Sequence, residues 1–454
     1  MFTSAATPPL FAHQEATLAK LRGKPSFYDM SEPGTAKTRV ALQEFWERRQ
    51  QGDGPALVLA PKSILKSAWG NDANRWIPGA THSIAYASNR EKAFKVKADI
   101  YITNWDALTW LAKNQNYIRG FSTLIGDEST AVKNPQTDRT KALFSIAPLF
   151  PYRRLMSGTV FSNCITELWA QMLALDAGER LGTSFYRFRS AVCEPKQIGP
   201  QPNHLEWNTK PGAEAAVFDL IGDISIRHEL EKCQDMPGQI VRLMEVDLPA
   251  KVQKYYDEME AHGLLELADG DIMAPAAAAV RSKLLQISAG AVYDGDKVAR
   301  INDDGRAELV MDLIEERKIC LVAFNWKHQR DQLVTAATKR GFKFAVIDGE
   351  TPGADRAKIV SAYQAGSLRV VFAHPQSAGH GLTMTKGTTT IWASPTDSAE
   401  LWEQFNRRQY RAGQTERCEV LKICANDTVE EVVYANCESK LVEMNRFRSL
   451  VDAA

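Results

Sequence analysis

The sequence predicts an α/β protein made of two parallel-sheet series in tandem, with helical insertions between them. Three observations predict it. A first set of short apolar runs, Ser26–Met30, Ala56–Ala60, Asp99–Thr103, Thr123–Gly126 and Arg154–Met156, is separated by amphipathic segments of helix length, the pattern of parallel strands covered by helices. A second set of the same kind follows: Cys320–Phe324, Lys343–Ile347, Val370–Ala373, Thr390–Ala393 and Val420–Ile423. Between them, from about 165 to 310, helical stretches such as AKVQKYYDEMEAHGLLEL and AAAAVRSKLLQISAG alternate with the Pro and Gly punctuation of EPKQIGPQPN and DMPGQ. The expected division is residues 1–240 and 241–454, the second part opening with helical segments.

Bulk properties agree with this and exclude several classes. The 454 residues suffice for two or three separate cores. Hydrophobic content of 44% and charged content of 24% are those of an ordinary soluble globular chain. Lys+Arg and Asp+Glu each total 55, which rules out a globally basic nucleic-acid binder but leaves a local basic groove open. The longest apolar runs, ALVLA and ICLVAF, are too short to span a bilayer, and MFTSAATPPLFAHQ has no basic stretch before an apolar one, so no secretory signal is expected. Seven cysteines without a CxxC pair argue against a zinc ribbon or a disulfide framework and suit a reducing compartment.

In open parallel sheets ligands bind beyond the carboxyl ends of the strands, so the clusters after each strand matter most. After the first comes SEPGTAKT, Ser31–Thr38, close to the phosphate-loop pattern GxxxxGK[ST] but with Ser31 and Ala36 at the glycine positions. In such loops backbone N–H groups and a helix N-terminus surround phosphate while a lysine neutralises its oxygens. Lys37 and Thr38 have that spacing, Thr38 could give its hydroxyl to Mg²⁺, and Pro33 and Gly34 supply the turn. Ala36 is the weak position, because its Cβ crowds a site where glycine lets the backbone approach phosphate. A Pro-Gly turn followed by a helix cap accounts for the eight residues equally well.

Lys62 and Ser63 follow the second strand, and Thr103, Asn104 and Trp105 end the third. Lysine and hydroxyl or amide groups there suit phosphate contacts, which are salt-dependent and largely sequence-blind. The fourth strand closes on Asp127 and Glu128. Adjacent acids allow one carboxylate to hold a metal while the next activates a water; a solvent-facing acidic strand end is the alternative. Ser157 and Thr159 follow the fifth.

The second series lacks a phosphate loop, its first strand leading into NWKHQRDQ with Asn325 and Lys327, so one nucleotide site is expected. Later, SAGHGLTMT (377–385), with Ser377 and Gly379, is a glycine-rich loop whose amides could meet nucleic-acid phosphates. EQFNRRQYRAGQ presents Gln404, Arg408 and Arg411. Arg408 and Arg411, three apart on an expected helical face, suit arginine fingers, worth about 10³–10⁵ in rate where measured. Arg407 reads as part of a solvated basic face. Core packing is the expectation for Trp69, Trp76, Trp326 and Trp402, with Trp105 the exception, a base-stacking candidate.

As an ordered set these motifs resemble helicase superfamily two, and within it the Swi/Snf-type DNA-dependent ATPases. FAHQ resembles the adenine-contacting Q element, which implies that Gln14 contacts the base. SEPGTAKT resembles motif I, LAPKSILKSAW motif Ia, ITNWDAL motif Ib, DESTAVKN motif II and LMSGTVFSN motif III. LVAFNW is similar to motif IV, SAGHGLTMT to motif V and QFNRRQYRAGQ to motif VI, so that the resemblance covers about residues 10 to 445. It implies two RecA-like lobes with ATP and Mg²⁺ held by Gly34, Thr35, Ala36, Lys37, Thr38, Asp127 and Glu128 of the first. Gln404, Arg408 and Arg411 would come from the second, and Ser157 and Thr159 would couple nucleotide to DNA. The resemblance further implies a DNA-stimulated motor that translocates on, reanneals or remodels duplex or branched DNA. A strand-separating helicase and a catalytically silent DNA-binding scaffold are the rival readings. The compact form is more like phage or bacterial members: a monomer in bacterial or host cytoplasm, off the membrane, working with replication or repair proteins. Two departures stand out: Ala36 replaces glycine before the lysine, and Thr130 stands where histidine is usual.

Overall fold

The computed structural model describes residues 9–161, 164–197, 205–233, 236–265, 272–273, 277–294, 297–301, 304–378 and 382–452. It divides into two compact units, Met1–Asp235 with Val442–Ala454, and Met236–Leu441. Each contains a parallel sheet covered by helices, the α/β architecture expected of two RecA-like lobes.

In the first unit the strands are β1 (Ser26–Asp29), β2 (Ala56–Ala60), β3 (His82–Ala85), β4 (Ile100–Asn104), β5 (Thr123–Asp127) and β6 (Tyr152–Met156). A hairpin of β7 (Cys193–Gln197) and β8 (Leu205–Thr209) follows, then the short β9 (Ser225–Ile226). Seven strands form one sheet in the order β3-β4-β2-β5-β6-β1-β9, every pairing parallel. The alternation of side chains explains its two cores: Leu57 and Leu59 of β2 pack with Phe94, Leu108 and Leu143, while Ala56, Val58 and Ala60 pack with Phe45, Trp69 and Ile77. Strands buried on both faces read as unbroken apolar runs, which is why they are visible in sequence. β3 is not, because three of its four residues are only half-buried.

The second unit has β10 (Gln239–Val246), the short pair β11 (Leu264–Leu265) and β12 (Ile272–Met273), and the hairpin β13 (Ala291–Asp294) and β14 (Lys297–Arg300). Its sheet proper adds β15 (Cys320–Ala323), β16 (Phe344–Ile347), β17 (Val370–Ala373), β18 (Thr389–Trp392) and β19 (Cys418–Ala425), in the order β10-β19-β18-β15-β17-β16, again all parallel. β10 lies in the stretch expected to be helical. It pairs with β19 along all eight residues, yet as an edge strand it leaves Val241 and Leu243 exposed and has no continuous buried run. Among the described residues, no helix is long and apolar enough to cross a membrane.

Parallel pairing points the carboxyl ends of all strands in a sheet toward one edge. SEPGTAKT after β1, the acids after β5 and SGT after β6 therefore share an edge of the first sheet.

Candidate active site

The phosphate loop is a built turn. Ser31 N donates to Asp29 Oδ1 (2.9 Å) and Thr35 Oγ1 donates to Glu32 O (2.8 Å). Gly34 has φ +96 and Ala36 φ +60, both left-handed, after which helix α2 (Lys37–Arg49) begins. Lys37 Nζ turns back onto the loop, donating to Ser31 O (2.5 Å) and Glu32 O (3.1 Å). Thr38 is the second residue of α2 and half-buried.

Three flanking groups hold the loop. Helix α1 (Ala12–Leu21) brings Gln14, whose Nε2 donates to Ala36 O (3.3 Å) and whose Oε1 accepts from Phe11 N (3.0 Å). His13 Nε2 lies 2.9 Å from Thr35 O. From the far side, Arg227 reaches the buried Glu32 carboxylate (3.2 Å), Leu230 N donates to its other oxygen (3.2 Å), Glu32 N donates to His228 O (3.0 Å), and His228 N donates to Ser31 Oγ (3.1 Å). His13, Glu32, Arg227 and His228 were missed in the sequence. The pairing of β9 with β1 that delivers Arg227 and His228 is two residues long and carries no local signal.

Asp127 ends β5. Its Oδ2 accepts from Trp69 Nε1 (2.8 Å) and its backbone O accepts from Trp105 Nε1 (2.9 Å). Burial and the neighbouring Glu128 push its carboxyl up to about 7, while the Trp69 hydrogen bond and the Lys37 charge pull the other way. The lysine of the loop therefore acts electrostatically on the acid at the end of another strand. Glu128 sits at φ +54, which turns the chain immediately after the strand. Ser157 Oγ donates to Thr159 O (2.6 Å) and lies 3.4 Å from Glu128 Oε2. Behind the acids a buried side chain joins three segments. Gln171 Oε1 accepts from Tyr28 OH (2.6 Å) and Ser129 Oγ (2.7 Å), and its Nε2 donates to Val160 O (2.7 Å). The adjacent Asp127 and Glu128 carboxylates, crowded enough that Asp127 is pushed toward neutrality, are hard oxygen ligands of the kind a divalent cation takes, and its charge would relieve that crowding. Among the described residues no group of three or more His, Cys, Asp or Glu could hold a metal ion.

In the second unit the expected helical face for Arg408 and Arg411 does not exist. The helix Ala399–Asn406 ends before them, and turn bonds such as Arg408 N to Phe405 O (3.0 Å) and Arg411 N to Gln409 O (3.1 Å) replace it. Both arginines instead converge on one carbonyl: Arg408 and Arg411 each donate through Nη1 to Leu382 O, at 3.3 and 3.1 Å. Arg408 is buried and also donates to Gln404 O (2.6 Å). Gln404 is itself buried, with Nε2 donating to Glu400 and Oε1 enclosed without a hydrogen-bond partner.

The residues expected at DNA divide. Lys62 and Lys327 are exposed and Ser377 is half-buried. Thr103 is fully buried, its hydroxyl donating to Ala85 O (2.8 Å), and Asn104 Nδ2 is turned to Asp106 (2.9 Å). Asn325 Nδ2 points into its own unit, to Ser394 Oγ (3.0 Å) and Pro395 O (2.7 Å). Trp105, expected to stack on bases, is 4% exposed and forms the wall under Asp127, packed so tightly that a Cβ on Gly126 would stand 2.8 Å from its ring. Strand-end position identified these residues; the direction of each side chain is set by sheet packing, which spacing does not reveal. Asn163, Gly379, His380 and the side chain of Ser63 lie outside the described residues.

A loop lysine and paired acids on one parallel sheet, followed by a second parallel sheet with clustered arginines, define a helicase-type chain of two RecA-like lobes. The comparisons make the class specific. A family profile described as "SNF2-related domain" matches residues 20–320, and one described as "Helicase conserved C-terminal domain" matches 305–413. The chain belongs to the SNF2-related family, the Swi/Snf-type ATPases of helicase superfamily two. It is 29% identical over 425 residues to "Putative protein p41" of Acyrthosiphon pisum secondary endosymbiont phage 1, covering 89% of this chain and 90% of that protein. It is 22% identical to the mouse "Chromodomain-helicase-DNA-binding protein 1-like" and 23% to the bovine "DNA annealing helicase and endonuclease ZRANB3", each over 90% of this chain. It spans only 46% and 38% of the length of those two proteins. Among solved structures, the "Sulfolobus solfataricus SWI2/SNF2 ATPase core in complex with dsDNA" matches with 18% identity and a TM-score of 0.45, covering 98% of this chain and 97% of that one.

Proposed function

We propose that this protein is a DNA-stimulated ATPase that converts hydrolysis into movement along duplex or branched DNA, reannealing or remodelling strands as it moves. The observation that carries the reading is the placement of the Lys37 loop after β1 and of Asp127 and Glu128 at the end of β5 on the carboxyl edge of one parallel sheet, in a chain of SNF2-related family. Lys37 would leave the loop carbonyls for the phosphate oxygens, and Gln14 would hold the base end of the nucleotide. Thr38 and Asp127 would hold the divalent ion that accompanies ATP, which supplies charge neutralisation at the phosphates. Glu128 would orient and deprotonate the attacking water. Ser157, 3.4 Å from Glu128, would sense the state of that acid together with Thr159. Arg408 and Arg411 would leave Leu382 O to meet negative charge on the transferring phosphoryl group. Lys62, Lys327 and Ser377 are the accessible backbone contacts, and Thr103, Asn104, Trp105 and Asn325 would act from beneath, by shaping the loops that carry contacts.

The test is ATP turnover without DNA and with single-stranded, duplex and forked DNA, with Lys37→Ala and Glu128→Gln as controls. Turnover stimulated most by duplex or fork is expected. Turnover no higher than in the controls on every DNA would leave a silent scaffold, and release of labelled strands would identify a strand-separating helicase.

A further inference from the structure

Trp326 is expected in the core from its sequence context. It is instead half-buried and lines a cavity of about 600 Å³ within the second unit, together with Asn325, Lys327 and Ser377. That volume is in the range of sites that enclose a small molecule, larger than a backbone contact needs. Four of the lining residues carry rings, Tyr293, Phe324, Trp326 and His374, and the rest are polar or charged apart from Gly349. Tyr293 backs Trp326, with ring centroids 6.3 Å apart, and is itself fixed by His328, whose backbone N donates to its hydroxyl (3.1 Å).

The charges decide what this cavity accepts. Lys327 is tied to Glu350 (2.7 Å) and Arg330 to Asp348 (2.8 Å), so two cations and two carboxylates cancel within the lining. Asp348 is further fixed by Thr351 Oγ1 and by Glu350 N (both 3.0 Å). A phosphate entering would find no net positive charge, because each lining cation is already paired with a carboxylate and only the exposed Lys327, by leaving Glu350, could turn outward to a backbone. A neutral, planar ring would meet aromatic faces and no net charge. Beside a surface where the backbone is held, the neutral planar part of DNA is the base. In a duplex both faces and the pairing edge of each base are occupied, so only an unpaired base can enter.

We propose that this cavity binds one unpaired nucleobase of a DNA fork, gap or flap, stacked on Trp326. The proposal rests on the DNA-motor reading and makes it specific: the second unit would mark a junction by holding the first unpaired base.

The full-length chain is titrated with blunt duplex, with a fork carrying 2-aminopurine at the first unpaired nucleotide, and with the same fork abasic at that nucleotide. Expected are quenching of the 2-aminopurine on binding and about tenfold weaker affinity for the abasic fork, in line with the loss of one stacked base. Trp326→Ala loses the quenching and the preference for intact over abasic fork, and Trp326→Phe retains both. Quenching that persists in Trp326→Ala, or equal affinity for intact and abasic forks with the abasic site moved through every unpaired position, overturns the proposal. The abasic comparison uses the unaltered protein, so it decides the matter even if Trp326→Ala does not fold. Failure to bind duplex and fork alike overturns the motor reading instead; duplex binding without an abasic effect overturns this inference alone.

Discussion

Gly158 lies directly against Pro33: a Cβ on Gly158 would stand 2.5 Å from Pro33 Cδ and 3.2 Å from Pro33 N. The segment after β6 and the phosphate loop thus touch through a gap that only glycine leaves. Gly158→Ala must push the loop outward, and overpacking of this kind costs about 1–3 kcal/mol. Nucleotide affinity about tenfold weaker is expected, read by titration with a fluorescent ADP analogue. Unchanged affinity would mean that the loop yields freely and that the contact does not shape the site.

Ala36 carries a conformational cost as well as a steric one. It sits at φ +60 at the start of α2, where a left-handed L-residue loses about 1–2 kcal/mol. Glycine removes that strain but gives the unfolded chain more freedom, about 0.5–1 kcal/mol. Ala36→Gly is therefore expected to stabilise the protein by up to about 1.5 kcal/mol in urea unfolding, and to tighten nucleotide binding because no Cβ borders the phosphates. A destabilised variant would show that the αL conformation is not held in solution.

Legibility in the sequence followed burial. β2 and β17 announce themselves as ALVLA and VVFA because both faces are covered, and Lys37, Asp127 and Glu128 because strand-end polarity follows them. What did not show was side-chain direction and long-range partnership. Trp105 and Trp326 each follow a strand within three residues, yet one is walled in beneath Asp127 and the other lines a cavity. Arg227 reaches Glu32 across 195 positions of chain, and the Leu382 carbonyl on which Arg408 and Arg411 converge is 26 residues away from the nearer of them. Local pattern contains none of these distances.

Gln171 is a test of how rigidly the acids are held. It is fully buried, and its amide satisfies Tyr28, Ser129 and Val160 at once. Gln171→Leu keeps the volume but leaves the Val160 carbonyl without its donor and the two hydroxyls without their acceptor. Each buried group left unsatisfied costs about 1–3 kcal/mol, so a loss of about 2–4 kcal/mol in chemical denaturation is expected, since Tyr28 and Ser129 can still bond each other (2.8 Å). Because Ser129 follows Glu128, turnover should fall more than nucleotide affinity. A pure stability loss with the turnover of the folded fraction intact would confine Gln171 to packing.

His228 gives the nucleotide site a pH dependence with a definite sign. Burial, the largest effect, lowers its pKa below the ordinary 6.5; Asp29 opposes this, and His13, Arg227 and Lys20 add to it. Its Nε2 lies 2.9 Å from Thr17 Oγ1, and its backbone holds Ser31 and Glu32 of the phosphate loop. The unfolded chain takes up its proton near 6.5 while the folded chain resists, so the stability contributed by neutral His228 is complete above the unfolded value and is lost as pH falls from there through the folded pKa. Acidification from about pH 8 to about pH 5 should therefore lower both the melting temperature and ADP affinity. His228→Gln, which can still bond Thr17 but cannot charge, should flatten both profiles. Parallel profiles for the two proteins would assign the acid sensitivity to another group.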